Sequence, residues 1–200
     1  MIDREAPADR REELLDELVE LFLAEGFLRF SVEDLARRLN CSKTTLYQVA
    51  PSKEQVILTV VRAAFRRSTD AVEAAVAATT DPVGRIAAYL DAISAELAPA
   101  GPQYYADLDT FVPAREIYRQ NTRLAARRLQ DLVQEAAPRS HVRPEFTGNV
   151  AALVMAAIQR GEMEAATGLD DATCFHELAL LITSGIQGRT DRPSPERTPA

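Results

Sequence analysis

Residues 30–55 read FSVEDLARRLNCSKTTLYQVAPSKEQ, and this stretch decides how the N-terminal part of the chain folds. Ser31 is a residue type that caps helices, and two acidic residues follow closely, where they favour the positive end of a helix. Asn40 can adopt the left-handed conformation that ends a helix, and Ser42 can cap the next one. The stretch therefore predicts two short helices joined by a tight turn, as in a helix-turn-helix.

The second short helix, predicted from Lys43 to about Val49, has the side chains that a DNA-reading helix needs. Its apolar Leu46 is expected to pack inward, while its polar residues project and can reach base edges or phosphates. The expected DNA contacts in this segment are Lys43, Thr44, Thr45, Tyr47 and Gln48, with Lys53 as a further positive charge. A three-helix cap without any DNA-binding role would show the same pattern, so the pattern alone leaves that alternative open.

The charge distribution agrees with a local anion-binding face. The 200-residue chain has a net charge of −7, but residues 29–67 carry eight Lys and Arg against three Asp and Glu. The segments on both sides of this block are acidic. A basic block of this kind is typical of a phosphate-binding surface, although chance fluctuation along a charged chain would give the same distribution.

The rest of the chain predicts helices only. Good helix formers dominate, and apolar residues recur at helical spacing almost throughout. Outside the short pair, the predicted helices span about residues 10–25, 52–78, 82–98, 113–138, 144–167 and 170–187, with a short aromatic segment at 104–111. Residues 189–200 hold three prolines and no periodicity, and are expected to form a flexible tail. The predicted fold class is all-α, with about nine helices.

The spacing of residues from Phe30 to Gln55 resembles the DNA-binding domain of tetracycline-repressor-like (TetR/AcrR) regulators. The residues that carry the resemblance are Ser31, Leu35-Ala36, Ser42, Thr45-Leu46-Tyr47 and Ser52-Lys53-Glu54. The sequence resemblance covers about residues 10–65, and beyond them only the number and length of the helices match. It implies that Ser31 and Lys53 hold phosphates at the edges of the module, and that residues 42–48 form the recognition helix. It also implies that Tyr47 touches the DNA backbone.

Four positions depart from the family pattern. Asn40 stands where the family commonly has Gly, and Thr44 stands where a small residue, often Gly, allows close approach to DNA. Val49 replaces a frequent Tyr or His that adds a phosphate contact. Ala50 replaces a frequent aromatic residue that locks the fourth helix to the module.

The resemblance also implies an organisation into two functional domains. A helix-turn-helix DNA-binding domain would occupy residues 1–51, with the start of helix four reaching to about residue 65. A larger helical domain over residues 52–188 would bind a small-molecule effector and form the dimer. Double-stranded operator DNA is the partner this implies, with two heads meeting successive major grooves of a pseudo-palindrome.

The last two long helices are the expected dimer surface, because the run Val150 to Ile158 is too apolar to face water. The expected interface residues are Val154, Ile158, Phe175, Leu178, Leu181, Ile182 and Gly185. Both helices could instead fill the core of a monomer, and the periodicity does not decide between the two.

Polar residues inside otherwise apolar stripes suggest an effector site, since small-molecule pockets are mainly apolar with a few placed polar groups. The candidate residues are Phe65, Ser68, Tyr89, Ile93, Tyr104, Tyr105, Phe111, Tyr118, Asn121, Met155 and Gln159. The resemblance places the effector between the middle helices, and the lining predicts a largely apolar molecule. Each of these residues taken alone is more commonly a core or solvent-facing group.

Other function classes receive little support. Cys41 and Cys174 are too few for a disulfide framework or a thiolate metal site, and His141 and His176 stand apart from metal-binding spacings. We therefore expect no metal, no cofactor and no enzymatic activity. No signal peptide is evident, and the longest apolar run is too short to cross a bilayer, which predicts a cytoplasmic protein without a membrane partner. A helical enzyme, or an interaction protein whose head only resembles a DNA-binding module, remains the alternative.

Overall fold

The computed structural model describes residues 7–136 and 142–187, and all regular elements in these two ranges are helices. They are α1 (Pro7–Glu25), α2 (Val32–Arg38), α3 (Lys43–Leu46), α4 (Lys53–Ala77), α5 (Pro82–Leu97), α6 (Pro102–Thr110), α7 (Val112–Ala136), α8 (Pro144–Gln159), α9 (Glu162–Thr167) and α10 (Asp171–Gln187). The predicted all-α class is confirmed. The flexible tail predicted at residues 189–200 lies outside the described residues.

The structure divides one predicted helix into two. The pattern predicts a single helix over residues 144–167, but the structure ends α8 at Gln159 and starts α9 at Glu162. Gly161 between them has φ +70°, in the left-handed region that interrupts an α-helix. The apolar periodicity continues on both sides of this glycine, and for that reason the sequence pattern predicted one continuous helix.

Packing divides the chain into two compact units. Unit 1 lies within Met1–Val72 and Ala95–Arg123, and unit 2 within Glu73–Ser94 and Leu124–Ala200. This division follows packing density, and the predicted functional boundary near residue 52 remains a prediction.

The N-terminal head consists of α1, α2, α3 and the start of α4, and each of these helices contributes to the core of unit 1. Leucines of α1, α2 and α3 meet α4 there, and each of the following is at most 1% exposed: Leu18, Leu35, Leu46 and Val61. Side chains of α6 and α7, including Leu108 and Ala114, belong to the same cluster. The head is therefore one end of a larger core and has no separate core of its own.

A buried carboxylate fastens the turn between α1 and α2 to α6. Asp107 is 4% exposed and accepts hydrogen bonds from the N–H groups of Phe27, at 2.5 Å, and Leu28, at 2.8 Å. The side-chain amide of Gln103 donates a third hydrogen bond at 2.7 Å. Gly26 has φ +74°, and a Cβ there would lie 2.7 Å from the carboxylate, so this turn requires glycine.

Unit 2 combines close helix packing with paired polar groups. Arg128 binds Glu73 through two hydrogen bonds, of 2.8 and 2.9 Å. Gly148 lets α8 approach α7 closely, because a Cβ there would lie 2.7 Å from the carbonyl oxygen of Ala126. No helix in the described ranges is both long enough and apolar enough to span a bilayer.

Replacing Asp107 with Ala should lower the free energy of unfolding by about 2–4 kcal/mol, because two buried N–H groups would lose their acceptor. Chemical denaturation followed by circular dichroism measures this change. Asp109→Ala removes an exposed carboxylate from the same helix, and should change the stability by less than about 0.5 kcal/mol. Equal losses in the two variants would contradict the role assigned to Asp107.

Candidate nucleic-acid interface

Two serine caps define the helix pair α2–α3. The N–H of Asp34 donates to Ser31 Oγ at 3.1 Å, and the Asp34 carboxylate accepts from the Ser31 N–H at 3.0 Å, which completes a capping box. The N–H of Thr45 donates to Ser42 Oγ at 3.0 Å. Both predicted caps are confirmed. The Ser31 hydroxyl also donates to Asp34 at 2.6 Å, which lowers the pKa of that carboxyl group.

The turn between the two helices depends on Asn40. It has φ +46°, and among the described residues it is the one non-glycine position with a positive φ. The N–H of Cys41 donates to the carbonyl of Ala36 at 2.9 Å, and the N–H of Asn40 donates to that of Arg37 at 3.3 Å. These two bonds form a Schellman motif, which satisfies the last carbonyls of α2. The predicted left-handed helix end at Asn40 is thus confirmed.

The short helix α3 presents the polar surface that the sequence predicts. Leu46 is buried, whereas Tyr47 is 42% exposed. Lys43, Thr44 and Gln48 are also exposed, and Thr45 is half-buried.

The helix is shorter than predicted. The N–H groups of Gln48 and Val49 donate to the carbonyls three residues earlier, at 3.0 and 3.1 Å, so the segment after Leu46 is a tighter turn. Val49 and Ala50 are both buried, so these two departures from the family pattern are core positions in this chain.

An arginine that sequence reasoning missed supports the end of this segment. The guanidinium of Arg11, on α1, donates to the carbonyls of Gln48 at 3.2 Å and Val49 at 3.5 Å. It therefore fixes the backbone just beyond Tyr47. Arg11 is 37 residues from Gln48 and 38 residues from Val49 in the sequence, so no local sequence pattern predicts this contact.

Carboxylates partner most of the positive charges of the head. Glu25 binds Arg38 at 2.6 and 3.1 Å and also contacts Arg29, while the guanidinium groups of both arginines lie over the Phe30 ring. The hydrogen bond from Arg38 lowers the pKa of Glu25. On the other side of the helix pair, Lys43 binds Glu33.

Two further basic residues of the head, Arg37 and Lys53, contact a carboxylate and a backbone carbonyl respectively. Arg37 lies 3.3 Å from Asp34 and has a largely exposed side chain. Lys53 donates to the carbonyl of Leu28 at 3.3 Å. The predicted phosphate-binding residues Ser31 and Lys53 thus both hold internal contacts in the DNA-free chain.

The predicted effector residues fall in both units. In unit 1, the rings of Phe65 and Tyr118 lie 6.1 Å apart, and those of Tyr104 and Tyr105 lie 5.8 Å apart. Burial raises the pKa of the Tyr104 hydroxyl, which has no hydrogen-bond partner within the described part of the chain. The other predicted residues in this unit are Ser68, Phe111 and Asn121.

In unit 2, the predicted effector residues are mostly packed. Tyr89 donates to the carbonyl of Ala125 at 2.9 Å, so its hydroxyl has a structural partner. Ile93 and Met155 are buried, and Gln159 is half-buried. A ligand-binding role for these residues stays a prediction.

The predicted dimer residues surround an open apolar groove in unit 2. This α8–α10 groove has a volume of about 490 Å³. Its lining includes five of the predicted residues, namely Val154, Leu178, Leu181, Ile182 and Gly185. The other two, Ile158 and Phe175, are buried inside the single chain.

Large apolar side chains are exposed beside this groove. Phe146 is 68% exposed, and Leu153 and Leu181 are each 73% exposed. The run from Val150 to Ile158 is therefore only partly covered within the single chain. Sequence reasoning did not single out Phe146 or Leu153, although their spacing of seven residues on α8 was a visible signal.

The cysteines and histidines form no site in the described ranges. No three His, Cys, Asp or Glu side chains come close enough there to hold a metal ion. Cys174 is buried, and burial raises the pKa of the half-buried Cys41 thiol. His176 lies 3.9 Å from Asp91, and His141 lies outside the described residues.

Comparison with protein families decides the class of the head. A family model described as bacterial regulatory proteins, tetR family, matches residues 14–60, which hold most of α1, all of α2 and α3, and the start of α4. This match confirms the predicted resemblance of residues 14–60 to the tetR family. Comparison of the chain with curated proteins gives no significant match.

Solved structures of transcriptional regulators share the fold over most of the chain. A TetR transcriptional regulator from Chloroflexus aurantiacus is 23% identical with a TM-score of 0.69, covering 90% of this chain and 96% of that one. A TetR/AcrR regulator from Thermobifida fusca is 21% identical with a TM-score of 0.65, covering 88% and 98%. The structure of AibR in complex with isovaleryl coenzyme A and operator DNA is 15% identical with a TM-score of 0.62, covering 86% and 97%.

Proposed function

We propose that the chain is a transcriptional repressor that binds a pseudo-palindromic operator as a homodimer, and that a small-molecule effector releases it. It acts by binding and not by catalysis, and it works in the cytoplasm, where bacterial operators lie. The observation that carries the proposal is the exposed polar surface of α3 on a capped and braced helix pair. Turnover of a metabolite by the purified chain would favour the alternative of a helical enzyme.

DNA binding follows from the chemistry of α3 and its surroundings. Hydroxyl, amide and ammonium groups project from Lys43, Thr44 and Gln48, and such groups bind base edges and phosphates. Tyr47 offers a phenol at the end of the same surface. Of the structures that share the fold, that of AibR contains operator DNA. A recognition helix that enters the major groove is the corresponding arrangement for this chain.

Substituting Tyr47 or Lys43 with Ala should weaken operator binding by about 30-fold or more, because a homodimer loses two DNA contacts of about 1–3 kcal/mol each. Gel-shift titration with the DNA upstream of the regulator's own gene measures the loss. The salt dependence gives a further check. In a plot of the logarithm of the wild-type association constant against the logarithm of the salt concentration, the slope should be about −0.9 for each phosphate that the protein neutralises.

The matched control for these variants is Arg127→Ala, which removes an exposed charge from α7. It should leave DNA affinity unchanged, and all three variants should keep the wild-type circular dichroism spectrum. Wild-type affinity in both the Tyr47 and Lys43 variants would show that the recognition surface lies elsewhere.

The dimer proposal rests on the apolar surface around the α8–α10 groove. Contiguous exposed apolar side chains of this size are uncommon on monomers and mark interaction sites. A second copy of the chain suits this surface, because an isologous contact places the same exposed leucines, Leu153 and Leu181, on both sides. Two bound copies also supply the two recognition helices that a palindromic operator requires.

Leu181→Glu should raise the dimer dissociation constant by about 100-fold or more, since two copies each lose about 1.5–3 kcal/mol of apolar burial. Analytical ultracentrifugation over a concentration series measures the constant. Leu124→Glu makes the same change at an exposed leucine on α7, and serves as the control. A monomeric wild type, or equal effects of the two substitutions, would contradict this interface.

An effector site is proposed at the aromatic cluster of unit 1. Phe65, Tyr104, Tyr105 and Tyr118 provide apolar surface, and the unpartnered Tyr104 hydroxyl offers one buried hydrogen-bonding group. This lining suits a largely apolar molecule with a single polar group. The AibR structure contains isovaleryl coenzyme A, so a protein of this fold can bind a metabolite that carries a short acyl group.

An effector that binds the DNA-free conformation better should lower operator affinity by about 5- to 150-fold, the usual range of allosteric coupling. Metabolites can be screened for displacement of a labelled operator duplex, followed by calorimetry with the DNA-free chain. Tyr104→Phe should weaken binding of the effector while leaving operator affinity unchanged. A compound that binds tightly without changing operator affinity would contradict the coupling.

A further inference from the structure

Lys43 is the single cation between Ser42 and Ala50, so it supplies the positive charge of the recognition segment. In the DNA-free chain its ammonium group is bound to the carboxylate of Glu33, which lies in the first turn of α2. The two side chains are 52% and 55% exposed, so the ion pair lies on the surface that α3 presents. The hydrogen bond from Lys43 also lowers the pKa of Glu33, so this carboxylate is charged at neutral pH.

We propose that Glu33 competes with DNA phosphate for Lys43 and thereby lowers the affinity of the regulator for every duplex. The proposal rests on the proposed DNA-binding function, and it identifies an affinity-setting residue within that surface. Glu33 is thus a residue whose removal strengthens binding, whereas removal of the other residues of this surface weakens it.

The competition follows from the chemistry of the two anions. Carboxylate and phosphate oxygens both accept charge-assisted hydrogen bonds from an ammonium group. If Lys43 turns to a phosphate, it loses Glu33. If it keeps both anions, it holds two negative charges close together, which is unfavourable. In either case the gain from the phosphate contact is smaller than for a lysine without an internal partner.

The size of the effect is set by exposure. A solvent-exposed ion pair shifts an equilibrium by up to about fivefold. A dimer contains two such pairs on separate heads, and contributions of distant sites add as free energies, which gives up to about 25-fold. The expected effect is therefore measurable but does not replace the base contacts as the main source of affinity.

Glu33 can be tested because it is not needed for the helix cap. Asp34, its neighbour, closes the capping box with Ser31, and Glu25 holds Arg29 and Arg38. The side chain of Glu33 makes one ion pair, with Lys43, within the described part of the chain. Glu33→Gln keeps the size of the side chain and removes its charge.

A double-mutant cycle tests the competition. The wild type, Glu33→Gln, Lys43→Ala and the double variant are titrated by fluorescence anisotropy against two labelled duplexes. One duplex is selected from a random pool by the wild-type chain, and the other is a scrambled sequence of equal length. We expect Glu33→Gln to raise affinity for both duplexes by about 3- to 25-fold. In the Lys43→Ala background, the same substitution should change affinity by less than about twofold, the wild-type partner being absent.

Glu54→Gln is the matched control, because it removes an exposed carboxylate from the start of α4 in the same head. It should not reproduce the gain, and thermal unfolding should show that every variant is folded. An equal gain from Glu33→Gln in both Lys43 backgrounds would mean that the carboxylate only repels DNA, and would overturn the proposal. No gain would also overturn it. A wild type that binds neither duplex would overturn the proposed DNA-binding function as well, so the two failures are distinguishable.

Discussion

The exposed polar surface of α3 depends on one constraint, the burial of Leu46 beneath a helix too short to be stable alone. A single helical turn gains too few hydrogen bonds to offset the entropy of ordering it. α3 spans four residues, so its direction comes from the Ser42 cap, the Leu46 anchor and the Schellman turn at Asn40. The exposed side chains acquire a defined geometry because these three features orient the backbone that carries them.

A second property of the head is that its charges are compensated internally. The chain is acidic overall, and even in the basic block Glu33 and Asp34 each contact a cation, as does Glu25 just before the block. Exposed ion pairs of this kind contribute little to folding. Their consequence lies in binding, because a cation such as Lys43 must exchange a carboxylate for a phosphate to contact DNA. The positive field of the head is therefore local, and in the proposed function the neutral polar groups of α3 carry more of the recognition.

Local features of the sequence were sufficient for the helix pair and insufficient for its surroundings. The caps at Ser31 and Ser42, the turn at Asn40 and the exposure of Tyr47 follow from residue types and short spacings. The contact of Asp107 with Phe27 joins positions 80 residues apart, so no short pattern contains it. The break at Gly161 was visible as a glycine, but the apolar period on both sides outweighed it. Exposure of Leu153 was not predicted. Hydropathy indicates that an apolar residue tends to be buried, but it does not show whether its own chain or a second copy buries it.

The contact between Gly26 and Asp107 links the evolution of two distant positions. The left-handed backbone at Gly26 and the carboxylate 2.7 Å from its virtual Cβ leave no space for any larger residue. A mutation that adds a side chain at position 26 is therefore disfavoured by the backbone, by Gln103 and by the acid at position 107. Loss of the acid first leaves two amides without an acceptor, so a lineage would have to pass through a destabilised intermediate. Position 26 should consequently remain glycine wherever position 107 keeps its acid.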